Sequence, residues 1–190
     1  MTQALLTQKL IPVCSALSKL DFNSDAPVKD MNRLYPPSGP AMQEIAKLAT
    51  EGLKAGWLCD KVNGAIKFSR VLKPLPEHHS FSVDAVYMPD AAGPAHTHPK
   101  GELSFCIALE GMPQFDGFGP GWALYKAGTT HTPTVKGGAM LILYWLPEGS
   151  VEWKARALSL LDIQTGDNTD PNTGDVSDRN VILKFLVPDD

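Results

Sequence analysis

The stretch Gly93-Pro94-Ala95-His96-Thr97-His98-Pro99-Lys100-Gly101-Glu102-Leu103-Ser104-Phe105-Cys106-Ile107-Ala108-Leu109-Glu110-Gly111 decides how this chain is read. In extended backbone, residues i and i+2 point to one face, so His96 and His98 can each present an imidazole nitrogen to the same ion. Pro99, Lys100 and Gly101 read as a turn, after which Glu102 opens a new strand facing the same interior. Two nitrogens and a carboxylate oxygen form a borderline-hard donor set, suited to Fe(II), Mn(II), Zn(II), Ni(II) or Cu(II). About thirty residues on, Tyr125-Lys126-Ala127-Gly128-Thr129-Thr130-His131 supplies a turn glycine and a possible fourth ligand. Three histidines and a glutamate would leave one or two positions on the ion open to water or substrate. The bland alternative makes His96 and His98 surface-loop residues between Pro94 and Pro99. His78-His79 precedes a strand without acidic partners and reads as solvated loop.

Working outward, short strands surround this stretch. Leu58 to Val62 and Ala65 to Leu72 flank Asn63-Gly64, a dipeptide favoured in type I′ hairpins because both central residues need positive φ. Phe81 to Tyr87, Glu102 to Leu109, Trp122 to Lys126 and Ala139 to Leu146 follow, with turn residues between them. Thr165 to Asp175 reads as a polar loop and Val181 to Val187 as a further strand. Upstream, Leu5, Leu6, Leu10 and Val13 give a weak helical stripe that Pro12 should interrupt. Residues 21–38 read as irregular chain. A firmer helix runs from Gly39-Pro40 to about Ala55, stopped by Gly56, with Met42, Ile45, Leu48, Ala49 and Leu53 on one face. Helices followed by many short strands predict a mainly β sandwich or barrel with a helical preface.

The 190-residue chain is 43% hydrophobic and 20% charged, as expected of a globular protein that folds without disulfides. A net charge of −4 and a pI near 5.7 argue against nucleic acid or an anionic membrane as partner. Cys14, Cys59 and Cys106 form no CxxC pair, and free thiols suit a reducing, cytoplasmic setting. No run approaches the length of a membrane span. Cys106 shares strand parity with Glu102 and reads as a small buried hydrophobe.

The chain resembles the cupin superfamily, whose first motif is G-x5-HxH-x3–4-E-x6-G and whose second is G-x5-PxG-xx-H-x3-N. That resemblance implies a jelly-roll β-barrel over residues 57–190, a helical extension over 1–56, and one divalent metal held by His96, His98, Glu102 and His131. The departures fall mostly on the second motif. Two residues separate Gly93 from His96, and eight separate Glu102 from Gly111; Pro120, Lys126 and Val135 replace its first glycine, proline and asparagine. Within the superfamily, Asn32-Arg33-Leu34-Tyr35-Pro36, the histidine stretch and Phe115-Asp116-Gly117-Phe118-Gly119-Pro120-Gly121-Trp122 are similar to the 4-hydroxylaminobenzoate lyase family. This implies conversion of 4-hydroxylaminobenzoate and water to 3,4-dihydroxybenzoate and ammonia.

On that footing the expected partner is a small aromatic acid. Arg70 is the candidate clamp for its carboxylate, and Trp122 and Trp145 are candidates to line a pocket for its ring. Tyr87 and Tyr144 are candidate proton-transfer groups. The same ligands would serve a non-haem Fe(II) dioxygenase or a ligand-binding cupin without turnover. A homodimer is expected, since sheet edges favour pairing.

Overall fold

The computed structural model describes residues 3–153. The readings at 165–175 and 181–187 lie outside them. Three helices come first: α1 (Gln3–Leu17), α2 (Ala26–Leu34) and α3 (Pro40–Ala55). Ten strands follow: β1 (Lys61–Asn63), β2 (Ile66–Leu72), β3 (Phe81–Met88), β4 (Ala91–Ala92), β5 (His96–His98), β6 (Glu102–Phe115), β7 (Gly121–Tyr125), β8 (Thr129–His131), β9 (Thr134–Pro147) and β10 (Glu152–Trp153).

The larger sheet has the order β1-β2-β3-β9-β6-β7, with β4 also on β9; the smaller has the order β10-β5-β8. Every pairing is antiparallel. This is a mainly β, jelly-roll-like arrangement with helices in front. Among the described residues no strand is hydrogen-bonded into both sheets, so they form an open two-sheet version of the expected barrel.

Side-chain alternation along the large sheet separates two cores. Odd-numbered residues Val83, Leu103, Phe105, Leu143 and Trp145 pack with Leu6, Leu10, Met42, Ile45 and Leu48 of the helices. Even-numbered Cys106, Ile142, Tyr144 and Leu146 pack on the other side with Phe115 and Tyr125. Because both faces are covered, β9 reads as the unbroken apolar run Ala139 to Leu146.

Local chemistry explains three differences from the sequence reading. Helix α1 runs straight through Pro12, because Leu6, Leu10, Val13, Cys14 and Leu17 are all buried and their packing outweighs one lost backbone bond. Residues 26–34 form a helix where irregular chain was expected. Its signal was the proline in its first turn, and only Pro27 and Met31 are buried, so its apolar stripe is too thin to read. The β1–β2 turn is Gly64-Ala65, since Asn63 pairs with Ile66. Only Gly64 takes positive φ (59°), so the turn is not type I′. The α3 helix ends as expected on Gly56 at φ 77°, whose N–H donates to the Gly52 and Leu53 carbonyls.

Candidate metal centre

Strand β5 lies between β8 and β10, pairing His96 with His131 on one side and with Trp153 on the other. His96 and His98 project from one face of it, while Thr97, on the other, bonds Thr130 at 2.7 Å. The turn that follows is held by the His98 carbonyl, which accepts from the N–H groups of Gly101 (3.1 Å) and Gly128 (2.8 Å). Gly101 sits at φ 84°, and a Cβ there would lie 3.0 Å from the Tyr125 carbonyl oxygen. The chain thus crosses to the large sheet and delivers Glu102 opposite the imidazoles.

The four side chains converge, their ligand atoms lying within 4.8 Å of one another. His131 Nε2 is 3.0 Å from His98 Nε2 and 3.1 Å from His96 Nε2, and His98 Nε2 is 3.1 Å from a Glu102 oxygen. Their outer atoms fix which nitrogens carry protons. His96 Nδ1–H donates to the Pro94 carbonyl (3.0 Å), and His131 Nδ1–H donates to Asp116 Oδ2 (2.6 Å). Both Nε2 atoms therefore carry lone pairs, and these face each other.

A cation between them turns that repulsion into coordination. Bonds of about 2.1 Å at right angles would place neighbouring donors about 3.0 Å apart, which matches the observed separations. Electrostatics agree. Burial pushes His96 down to about 4 and His98 down to about 3, so both imidazoles are neutral at pH 7 and free to coordinate. Burial pushes the Glu102 carboxyl up to about 8 against the hydrogen bond from Ser104, and a cation beside it would favour the ionised form at neutral pH. His98 Nδ1 is buried with no partner among the described residues. The donor set therefore fits one metal ion.

A cavity of about 170 Å³ opens beside this cluster. A row of polar side chains crosses its floor from strand to strand: Arg70 is registered with Asp84, Asp84 with Tyr144, and Tyr144 with Ser104. Ser104 donates to Glu102, so the row runs from Arg70 to a candidate metal ligand. The guanidinium of Arg70 donates to Asp84 through Nε (2.8 Å) and one terminal nitrogen (3.3 Å), leaving its other terminal N–H groups without a protein partner among the described residues. Burial raises the Asp84 carboxyl, with Arg70 opposing. Burial, reinforced by Glu102, holds the Tyr144 phenol well above its ordinary value, so it stands protonated at neutral pH and can accept a proton only after giving its own up.

Of the residues singled out in the sequence, His96, His98, Glu102, His131, Arg70 and Tyr144 share this region. Tyr87, Trp122 and Trp145 do not. Their side chains have the opposite strand parity and pack in the helix-side core, where Trp122 donates to the Tyr35 carbonyl (2.8 Å) and stacks near Trp145. The aromatic wall of the cavity comes instead from Phe68 and Trp153, the latter 4.8 Å from the His96 ring. The sequence reading also missed Asp84 and Asp116. Asp116 stood there only within the Phe115–Trp122 run that carries the family likeness, with no role, since no spacing rule links it to a histidine 15 residues on. Burial alone would raise the Asp116 carboxyl, but hydrogen bonds from His131, Tyr125 and the Thr134 N–H outweigh it and hold it low.

With this geometry in place, comparison with known proteins is specific. The family model described as PnbB, 4-hydroxylaminobenzoate lyase, matches residues 13–153. A 4-hydroxylaminobenzoate lyase of Nocardioides sp. (strain LMS-CY) is 32% identical over 134 residues, covering 66% of this chain and 79% of that protein. One from Pseudomonas putida is 31% identical over 144 residues, covering 67% and 82%. Among solved structures, an acetylacetone dioxygenase from Acinetobacter johnsonii aligns with a TM-score of 0.40 at 14% identity, covering 54% of this chain and 76% of that one. The matched segment contains all four metal-site residues and the row from Arg70 to Ser104, and the chain belongs to the 4-hydroxylaminobenzoate lyase family.

Proposed function

We propose that this protein is a metal-dependent lyase that converts 4-hydroxylaminobenzoate and water to 3,4-dihydroxybenzoate and ammonia. The observation that carries the reading is the three-histidine, one-glutamate cluster opening onto a cavity with Arg70 in its wall, in a chain of this family.

In this reading the free terminal N–H groups of Arg70 bind the substrate carboxylate, while Asp84 fixes the guanidinium from its other edge. Phe68, Val86 and Trp153 pack against the ring. His96, His98, Glu102 and His131 would hold a divalent transition metal, which would supply Lewis acidity for the departure of the hydroxyl. Tyr144 protonates the departing hydroxyl, which leaves as water as the N–O bond breaks and the ring becomes electron-deficient. A second water adds to the ring carbon next to the C–N carbon and returns a proton to Tyr144. A third hydrolyses the resulting C=N bond to a ketone, releasing ammonia, and transfer of the proton from the hydroxyl-bearing ring carbon to the ketone oxygen restores aromaticity. One water is produced and two are consumed, so the net reaction takes up one.

The test is ammonia release from the purified, metal-loaded protein under anaerobic conditions. The expected result is one ammonia and one 3,4-dihydroxybenzoate per substrate with no oxygen requirement. Full metal loading without ammonia rejects the reading.

A further inference from the structure

We propose that Asp116 is a positioning residue that makes His131 a metal ligand, acting through the imidazole edge turned away from the ion. The inference rests on the metal-site reading above and concerns a residue outside the ligand set.

Four hydrogen bonds converge on Asp116, three of them on its carboxylate. Oδ2 accepts from His131 Nδ1 at 2.6 Å and from the Tyr125 hydroxyl at 2.7 Å. Oδ1 accepts from the Thr134 N–H at 2.7 Å, and the Asp116 N–H donates back to the Thr134 carbonyl at 2.9 Å. This two-way clasp joins the turn after β6 to the first residue of β9, three residues beyond His131. Asp116 holds φ 49°, a backbone conformation that a non-glycine residue adopts only when its surroundings fix it. Tyr125 also stacks on the His131 ring, with centroids 4.2 Å apart.

The arrangement compensates for the weak second motif. His131 stands on a three-residue strand, with Lys126 and Val135 where the cupin pattern has proline and asparagine. Asp116 supplies the orientation those positions lack. An acceptor-only carboxylate at Nδ1 forces the proton onto that nitrogen and leaves the Nε2 lone pair facing the ion. In Asp116→Asn, the amide oxygen can keep the Thr134 N–H only by turning its NH2 toward Nδ1. That puts two donors face to face, and relief comes from shifting the imidazole proton to Nε2, where it blocks coordination.

The experiment titrates metal-free full-length protein with zinc(II) against a chromophoric chelator, and records the visible absorption of the cobalt(II) form. Asp116→Asn should weaken zinc binding by about 10–100-fold and change the cobalt spectrum. His131→Ala should weaken binding at least as much, and the double variant should bind no more weakly than His131→Ala alone, because Asp116 acts through that imidazole. Circular dichroism of each metal-free variant checks folding. Tyr125→Phe keeps the carboxylate and should leave zinc affinity within threefold of wild type, about 0.7 kcal/mol at most. That arm remains decisive if Asp116→Asn does not fold, since a tenfold loss in Tyr125→Phe would place the control in the phenol and overturn the proposal. Wild-type affinity in folded Asp116→Asn, or losses that add fully in the double variant, would also overturn it. Wild-type affinity in His131→Ala would overturn the metal assignment itself.

Discussion

At His98 the polypeptide carries a cost that a bound cation offsets. The side chain is 1% exposed, its Nδ1 lacks a partner among the described residues, and its Nε2 lies among two imidazoles and a carboxylate. The orphaned Nδ1 costs about 1–3 kcal/mol, and coordination through Nε2 would offset that cost without giving Nδ1 a partner. His98→Ala should therefore remove most bound metal, with a loss of affinity greater than the about 10–100-fold typical of an outer partner. The fold should persist, because both cores are apolar and neither includes the ligands. Elemental analysis with circular dichroism decides; full metal occupancy would contradict the assignment. Arg70 makes a second residue-scale prediction. Removing its side chain would orphan Asp84, so Arg70→Lys is the cleaner probe: charge is kept, the planar fork is lost. KM for 4-hydroxylaminobenzoate should rise about tenfold, and kcat should change far less, if the guanidinium only binds the carboxylate. Steady-state kinetics with phenylhydroxylamine, which has no carboxylate, should show no such rise.

At the scale of elements, legibility followed the length of the pattern. Helix α3 was readable because five apolar positions at helical spacing lie between a proline start and a glycine stop. Strands β5 and β8 have three residues each, too few for any periodicity; His96 and His98 gave β5 away through their chemistry, and β8 was visible only as a glycine and a histidine. The convergence of His96, His98, Glu102 and His131 was legible because motif spacing brings them together. The substrate wall was not, because Trp122 and Trp145 face the cavity or the helices according to a single-residue choice of register that the sequence leaves open. Helix α1 offers a test of the reverse case, in which packing overrides a local signal. Pro12 is exposed in the helix interior, with its neighbours Ile11 half-buried and Val13 buried. Pro12→Ala removes no core contact, restores a backbone N–H, and should raise stability by up to about 3 kcal/mol. Denaturant unfolding of the metal-free protein measures it; a loss of stability would show that the ring itself is needed.

The molecule as a whole is organised by one sheet with two unlike faces. The helices cover the face that carries Val83, Leu103, Phe105, Trp122 and Trp145, and the opposite face carries the cavity, the polar row and Glu102. Helix packing should then set how stable the protein is without setting how tightly it binds metal. Leu10, fully buried between α1 and the sheet, is the probe. Leu10→Ala leaves a cavity on the helix side and should cost about 2–5 kcal/mol. Zinc affinity at fixed pH should stay as in wild type, because residues without shared partners contribute independently. The stabilisation gained from a given zinc concentration depends only on affinity, so the rise in Tm on adding zinc should persist from the lower starting point. Unfolding curves with and without zinc, paired with chelator competition, separate the two quantities. A tenfold fall in zinc affinity in a folded Leu10→Ala protein would mean that strain crosses the sheet, and that the helices belong to the working site as well as to the scaffold.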